Sequence, residues 1–235
     1  MLKVPSYGWA DDNNELVVPS KKQLYQEFFS RLNVFKHRKN WISSISWIMV
    51  LCMLPFFISF LVYHLSVVSV VFFILYAMII MSTHGTIRFH RYCTHGAYKF
   101  SHPLWRIITQ NLVIKTFPEE IYVISHHVHH AKSDEPGDPY IPKGGLLNCM
   151  MSDVNHQSIA ENLDESDYRK ATNFISQSGI QINSYKQYQK WGSVASPLYT
   201  ISLWLINWSL WYFIFYLIGG HAIATLIIFV MLRRL

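Results

Sequence analysis

The sequence predicts an all-α integral membrane protein in which two transmembrane helical hairpins carry a cytoplasmic helical cap. Three observations favour this fold class. Of the 235 residues only 14% are charged and 51% are hydrophobic, whereas a soluble domain carries roughly a quarter charged residues. The stretches 42–81 and 197–232 contain no Asp, Glu, Lys or Arg. A polar middle separates these two apolar blocks, so the chain is too apolar and too unevenly charged for a cytosolic globule.

The apolar blocks have lengths that fit membrane-crossing helices. Residues 42–62 would form an α-helix of about 32 Å, which crosses a hydrocarbon core of ~30 Å. Residues 63–65 leave room only for a tight reversal, and Gly219-Gly220 predicts a second turn. The predicted spans are 42–62, 65–83, 197–218 and a partial helix over 221–235. Because this last stretch is shorter than the ~20 residues of a full span, we expect an incomplete last helix and a C-terminally truncated chain.

The basic residues predict which side of the membrane each segment occupies. Seven of the 20 Lys and Arg residues lie in 1–41 and eleven in 84–196, whereas both predicted turns have none. Lys and Arg are enriched in cytoplasmic loops, so both basic segments are predicted to face the cytoplasm. The chain therefore divides into a cytoplasmic N-terminal segment, 1–41, and a multi-pass membrane domain, 42–235, whose insert at 84–196 is cytoplasmic.

Composition excludes several other classes of protein. The net charge of +6 comes without a basic stripe, which argues against nucleic acid as a partner. The basic charge suits an anionic membrane surface instead. The three cysteines, Cys52, Cys93 and Cys149, form no C-x-x-C pair, so we expect no disulfide framework and a reducing compartment.

Histidine carries the chemistry of the polar middle. Eight of the twelve histidines lie between positions 84 and 130, and most of them fall into two groups. His90 and His95 have H-x4-H spacing, which places their rings about 140° apart on an α-helix. We therefore expect this group to unwind or to lie at a helix end. His126, His129 and His130 have i, i+3, i+4 spacing, which places them on one helical face.

Both groups favour a metal site. Neutral imidazole binds Fe, Zn, Cu and Ni, and it is available at pH 7 because its ordinary pKa is about 6.5. Closely spaced histidines would repel one another if charged, and a bound metal ion keeps the rings neutral. For His90 and His95 alone, surface or hydrogen-bonded roles compete with ligation. The predicted metal ligands are His90, His95, His126, His129 and His130.

Other histidines and aromatic residues have competing interpretations. We expect His84 to lie at the membrane interface or to support a ligand, and His127 to support a ligand or to face solvent. His156 is expected at the surface. The three Trp residues of 204–211 share one helix face, which indicates packing and interfacial anchoring or, alternatively, a substrate lining.

The carboxylates near the second histidine group are also ambiguous. Glu119 and Glu120 either orient a ligand imidazole or begin a solvated helix. Asp138 is either a carboxylate ligand or part of a turn. The aromatic residues of 185–191 are suited to lying at lipid headgroups.

The two histidine groups resemble the histidine boxes of the membrane fatty-acid desaturases, with the acyl-CoA and acyl-lipid delta-9 branch as the nearest. The H-x4-H group follows the second predicted span, and H-x2-H-H follows about 30 residues later, as in that branch. Supporting matches are Thr86, Arg91, Tyr98-Lys99, Ser133 and Asp138-Pro139. The resemblance covers about 40–232 and is strong at 84–145. The sequence differs where family members have Gly, Trp and Arg-Asp, at Arg88, Tyr122 and Ile124-Ser125.

The resemblance implies a pair of irons held by histidines from three boxes, in a cytoplasmic cap over four transmembrane helices. It implies an oxidoreductase that uses dioxygen and two electrons to remove two hydrogens from an acyl chain, which leaves a cis double bond. The implied partners are the membrane, a lipid or acyl-CoA or acyl-lipid substrate, and an electron donor such as a b-type cytochrome or ferredoxin. The family's third box has no counterpart in residues 1–235, so we expect this chain to insert in the membrane without desaturating lipid.

Three alternatives remain open at the level of sequence. A related membrane hydroxylase of fatty acids, carotenoids or sterols would carry the same boxes, because both reactions begin by removing a hydrogen from carbon. A non-catalytic metal-binding or transport protein is disfavoured because the predicted spans lack the ionisable residues of an ion path. An inactive remnant of the family is the third alternative.

Overall fold

The computed structural model describes residues 1–113, 115 and 117–218, and this part of the chain is helical without a β-strand. Its α-helices are α1 Lys21–Leu32, α2 Trp41–Tyr63, α3 Val67–Ile80, α4 Pro103–Gln110, α5 Glu119–Ala131, α6 Leu146–Asn155, α7 Glu165–Ile175, α8 Tyr185–Trp191 and α9 Pro197–Ile218. A π-helical segment, Met81–Thr94, continues α3. Isolated bridges such as Leu2–Ile159 are the only β pairing among these residues.

Two of the described helical stretches are long and apolar enough to cross a membrane. They are Arg38–Tyr63, which runs through Pro55 without a break, and Val67–Thr94. Many large apolar side chains on them are exposed, including Ile48, Leu51 and Phe72, which a soluble helix would bury. The predicted spans at 42–62 and 65–83 are confirmed as apolar helices of spanning length.

The rest of the predicted topology lies partly within and partly outside the described residues. The third predicted span, 197–218, coincides with α9. The predicted turn at 219–220 and the partial helix over 221–235 lie outside the described residues. The pairing of spans into hairpins and the cytoplasmic position of the insert stay predictions.

The chain separates into two compact units. The first unit comprises Met1–Ile45 and Pro118–Pro197, and the second comprises Ser46–Phe117 and Leu198–Leu235. In the first unit α1 packs on α6 and α5 packs on α7. In the second unit the π-helical segment packs on α3 and α4. The second histidine group therefore belongs to the first unit, and the first histidine group belongs to the second unit.

The N-terminal residues are an ordered part of the first unit. Backbone hydrogen bonds join Lys3 to Ser158 and Ala160 to Met1, each at 2.8 Å. A buried ion pair on α1, Glu27 with Arg31, accepts a hydrogen bond from the backbone of Ser6 and donates one to the carbonyl of Lys3. These bonds satisfy charged groups that would otherwise be costly to bury.

The aromatic residues of 185–191 do not all lie at the surface. Tyr188 is fully buried, and its hydroxyl donates to the carbonyl of Ala160 at 2.5 Å and accepts from the N–H of Leu163 at 2.9 Å. The prediction of a headgroup position is therefore wrong for Tyr188. Its ring packs against Tyr168 with a centroid separation of 4.9 Å, so Tyr188 is a core residue of the first unit.

A buried asparagine organises the second unit. Asn207 of α9 accepts a hydrogen bond from the backbone N–H of Lys115 at 2.9 Å and donates to the carbonyl of Val113 at 3.1 Å. The indoles of Trp208 and Trp211 donate to the carbonyls of Lys115 and Asn111, each at 3.0 Å. Irregular backbone in an apolar unit needs such partners. This contact pattern supports the packing interpretation of the tryptophan face.

Candidate metal centre

The first histidine group lies where the π-helical segment ends. The N–H of His95 donates to the carbonyl of His90 at 3.1 Å, five residues back, which is the π-helical bonding pattern. Residues five apart therefore lie above one another, and the two imidazole centroids are 4.6 Å apart. The prediction that this group lies at a helix end is confirmed. The wider π turn removes the 140° separation that an α-helix would impose.

This segment is anchored on α4 by two buried side chains. His84 is buried, and its Nδ1–H donates to the carbonyl of Thr109 at 3.0 Å. Arg88 is also buried and donates from its guanidinium to the carbonyl of Arg106 at 3.3 Å. The interpretation of His84 as a supporting residue is therefore favoured over a lipid-interface position. Arg88, which stands where the desaturases that the motifs resemble have Gly, fastens the same segment.

The second histidine group lies on the last two turns of α5. The Nε2 atoms of His126 and His130 are 3.2 Å apart, as i, i+4 spacing on one helical face predicts. Metal–imidazole bonds are about 2.1 Å long, so two nitrogens on one ion at near-octahedral to tetrahedral angles stand about 3.0 to 3.4 Å apart. The separation of this pair therefore fits a shared metal ion.

His129 occupies a different environment on the same helix. Its Nδ1–H donates to the Oδ1 of Asp138 at 2.8 Å, and its ring centroid lies 5.9 Å from that of His126 and 5.7 Å from that of His130. His126 and His130 are the residues of α5 that share a cluster of mutually close ligand nitrogens among the described residues. Ligation by His129 stays a prediction.

Asp138 is the residue whose role the sequence left undecided between ligand and turn. It is fully buried, and its two oxygens also accept the backbone N–H groups of Asp134 at 3.0 Å and Tyr140 at 2.8 Å. The carboxylate thus builds the turn and holds the His129 tautomer whose Nε2 is free to accept a metal. No helical spacing links positions 129 and 138, so only loop closure brings them together.

Two further side chains hold the second group in place. The ring of Tyr122 stacks on His126 with a centroid separation of 5.4 Å and an angle of 13°. The Ser125 hydroxyl is hydrogen-bonded to the hydroxyl of Tyr140 at 2.8 Å. His127 stacks on Phe174 at 4.1 Å, a packing role that neither of the two expectations for this residue included. Tyr122 and Ser125 are departures from the family pattern, and both carry structural contacts here.

Glu120 fits neither interpretation offered by the sequence. It is buried in the first turn of α5, and its Oε2 accepts the backbone N–H groups of Val194 at 2.7 Å and Ala195 at 2.6 Å. Burial raises the pKa of its carboxyl to about 7, although these two hydrogen bonds lower it. The residue joins the histidine helix to the segment that precedes α9 and does not begin a solvated helix.

His156 is buried, so the prediction of a surface position is wrong. Its Nε2 is hydrogen-bonded to the hydroxyl of Tyr7 at 2.5 Å, and its ring packs against Trp9 at 5.0 Å. Burial is the main cause that lowers its pKa to about 4, with the Arg31 charge adding to it. The residue is therefore a neutral core histidine. The N-terminal segment that covers it is distant in sequence, so periodicity could not reveal this position.

Each unit thus presents a pair of histidines whose ligand nitrogens lie within 4.8 Å, His90 with His95 and His126 with His130. Neutral imidazoles in such pairs suit iron, zinc or copper. Only imidazoles make up these pairs, so the metal ligands that they offer are nitrogen atoms and not thiolates or carboxylates. Each pair can therefore supply two adjacent nitrogen ligands to a metal ion.

Comparison with known proteins agrees with the motif resemblance. A family model described as fatty acid desaturase matches residues 65–235, a range that includes both histidine groups. Neither the curated proteins nor the solved structures give a significant match.

Proposed function

On the premise that the chain belongs to the fatty acid desaturase family, we propose that it serves iron- and oxygen-dependent desaturation of a fatty acyl chain. Membership in the family makes it an oxidoreductase of lipid metabolism. The proposed reaction removes two hydrogens from adjacent carbons of the acyl chain and leaves a cis double bond. Dioxygen is reduced to two water molecules by these two hydrogens together with two electrons from a separate electron donor and two protons from the solvent.

The single observation that carries this proposal is the 3.2 Å separation of the His126 and His130 nitrogens within the matched range. We propose that iron is held by His90, His95, His126, His129 and His130. Bound iron would supply the oxidising power with which dioxygen attacks an unactivated carbon–hydrogen bond. The delta-9 type of regiochemistry, suggested by the motif spacing, belongs to the same proposal.

The protein's own residues prepare these ligands. Asp138 holds the Nδ1–H of His129, which leaves the opposite nitrogen for a metal. Tyr122 restrains the rotation of His126 by stacking. The π turn brings the His95 ring to 4.6 Å from the His90 ring. Pre-set ring orientations of this kind reduce the entropy lost when a metal binds.

The proposed partners follow from the chemistry and the position of the site. An acyl-CoA or acyl-lipid substrate would place its tail among the apolar helices and its headgroup at the basic cytoplasmic face. A b-type cytochrome or ferredoxin, each acidic, would be attracted to that face as electron donor. The cytoplasmic orientation of the N-terminus and both histidine groups is part of this proposal.

The function is tested by expressing the chain in cells and analysing their lipids by gas chromatography. We expect no new double bonds from residues 1–235 alone, because five histidines fall short of the ligands implied for two irons. We expect new double bonds when a C-terminal segment with an H-x2-H-H box is fused to residue 235, given oxygen and a reductant. Loss of those double bonds in the His126→Ala, His130→Ala variant of the fused chain is the matching control.

Two outcomes would contradict the proposal. New double bonds made by residues 1–235 alone would show that the proposed ligand set is wrong. Hydroxylated lipids from the fused chain would move the function to the related membrane hydroxylases.

A further inference from the structure

Residues 16–41, which lead into the first candidate span, expose charged side chains of one sign. Between residues 16 and 41 the only acidic residue is Glu27, which is buried in its ion pair with Arg31. The exposed charged residues of this segment are Lys21, Lys22, Lys36 and Arg38. The surface before α2 is therefore uniformly basic.

Aromatic side chains are exposed on the same segment. On α1, Tyr25 and Phe29 face outward one turn apart, and Phe35 in the following turn is 99% exposed. An aromatic ring left fully in water forgoes the stabilisation that its burial would give. Exposed aromatics beside basic residues are typical of a surface that meets lipid headgroups.

The exposure of Phe35 results from a built turn. The side-chain oxygen of Asn33 accepts the backbone N–H groups of Phe35 and Lys36, each at 3.0 Å. The amide of Asn40 donates to the carbonyls of Ser30 and Asn33, each at 3.0 Å. The turn is thereby fastened to the start of α2 at Trp41. Phe35 is held outward six residues before that helix begins.

A second basic and aromatic segment adjoins this turn within the first unit. The indole of Trp41 donates to the carbonyl of Trp191 at 3.2 Å, and the Lys190 ammonium lies 5.2 Å from the centre of the Trp191 ring. Gly192 has a φ of +68°, and a Cβ there would lie 2.8 Å from the Lys39 side chain. The glycine thus allows the end of α8 to pack on the basic segment before α2.

We propose that these residues form a collar that binds anionic phospholipid headgroups where the first candidate span enters the membrane. The collar consists of Phe35, Lys36, Arg38, Lys190 and Trp191. Basic residues next to a span are attracted to anionic lipids by about 1 kcal/mol each. The collar directly precedes the apolar helices α2 and α9, and its aromatic rings suit a lipid interface more than an acidic soluble protein. The proposal does not depend on desaturation.

Lipid selectivity of the full chain in vesicles tests the collar. The purified protein is reconstituted in phosphatidylcholine with a trace of spin-labelled phosphatidylserine or spin-labelled phosphatidylcholine, and the motionally restricted fractions are compared. We expect a several-fold preference for phosphatidylserine at low salt, which falls at 1 M salt because charges are then screened. In the Lys36→Gln, Arg38→Gln variant the preference should fall towards one, since each charge contributes up to about fivefold.

The matched control is the Arg169→Gln, Lys170→Gln variant, which removes two exposed basic residues of α7 from the same unit. It should keep the preference of the unaltered chain. An unchanged preference in the Lys36→Gln, Arg38→Gln variant overturns the proposal, and so does an equal loss in the α7 variant, which would indicate net charge alone. A collar variant that keeps its lipid preference but loses binding to an acidic soluble protein would assign the surface to that protein. Circular dichroism of each variant verifies folding, and Lys190→Gln provides a second, independent reduction of the preference.

Discussion

At the scale of single residues, the environment of each titratable group decides its role. Three histidines lie on one turn of α5, yet His129 faces Asp138 while His126 and His130 face each other. A carboxylate thus orients the ring of His129, whereas His126 and His130 bring their nitrogens close to each other. A carboxylate behind a metal-binding imidazole fixes its tautomer and raises its basicity.

The Asp138→Asn variant tests this orientation. Loss of the carboxylate charge should weaken iron binding by 10- to 100-fold, because the His129 tautomer is no longer enforced. Iron bound to the purified protein, measured by elemental analysis across a titration, gives the affinity. The exposed neighbour Glu135, changed to Gln, is the control and should leave affinity unaltered. Equal affinity for Asp138→Asn and the unaltered chain would remove Asp138 from the proposed site.

Glu120 provides a pH-dependent prediction. Its carboxyl pKa is raised from 4.5 to about 7 in the fold, so the folded state binds its proton more tightly than the unfolded chain. Its contribution to the free energy of unfolding is complete below pH 4.5 and is lost as the pH rises through 7, roughly 3 kcal/mol at 1.36 kcal/mol per pKa unit. Thermal unfolding between pH 5 and 8 should therefore show a decline that Glu120→Gln removes. Exposed Glu165→Gln should retain the decline, and a decline that persists in Glu120→Gln would exclude this carboxyl as its source.

At the scale of elements, two features depart from regular α-helix for identifiable reasons. The π-helical segment aligns residues five apart, which H-x4-H spacing requires. The described residues 111–113 and 115, which follow α4, lie outside any regular helix, and α9 satisfies their backbone through Asn207, Trp208 and Trp211. A polar side chain buried in an apolar unit is expensive unless it is bonded in this way.

Replacement of Asn207 by Leu should destabilise the second unit. It leaves the N–H of Lys115 and the carbonyl of Val113 without their partner, at about 1–3 kcal/mol for each buried group. We expect a lower melting temperature in detergent, followed by circular dichroism. Leu205→Ala, on the exposed face of α9, is the control and should change the melting temperature little. A melting temperature of Asn207→Leu equal to that of the control would show that these bonds do not stabilise the fold.

At the scale of the whole molecule, the distribution of Lys and Arg predicts which segments face the cytoplasm. Both basic segments, 1–41 and 84–196, are predicted on the cytoplasmic side because an even number of spans separates them. The described structure adds two apolar helices of spanning length, Arg38–Tyr63 and Val67–Thr94. The first unit gathers residues from both basic segments into one compact body, as a shared side of the membrane requires.

Cysteine labelling of sealed cells tests this topology. A cysteine placed at Met150 should react with a membrane-impermeant maleimide only after the cells are opened, because α6 belongs to the insert that is predicted to be cytoplasmic. A cysteine at His64, in the turn between the first two spans, should react in sealed cells. Both variants are made in a chain whose native cysteines are replaced by Ser. Labelling of position 150 in sealed cells would contradict the cytoplasmic placement.

Sequence alone determined the elements whose causes are local. The absence of charge over 42–81 predicted the two spanning helices, since every charged residue in lipid is costly. The i, i+4 spacing of His126 and His130 predicted their close approach, because α-helical geometry depends only on spacing, whereas His129 of the same predicted face turns to Asp138. The family match over 65–235 agrees with the resemblance that these motifs carried.

Tertiary structure decided what depends on residues far apart in the chain. Asp138 reaches His129 through loop closure, His156 is buried by Tyr7 and Trp9, and Glu120 bonds to the backbone before α9. None of these partners follows from periodicity, because hydrogen bonds and burial between distant segments are set by how the chain packs. The sequence therefore shows which polar side chains could bind a metal or titrate. Which of these roles each side chain takes depends on the neighbours that folding brings to it.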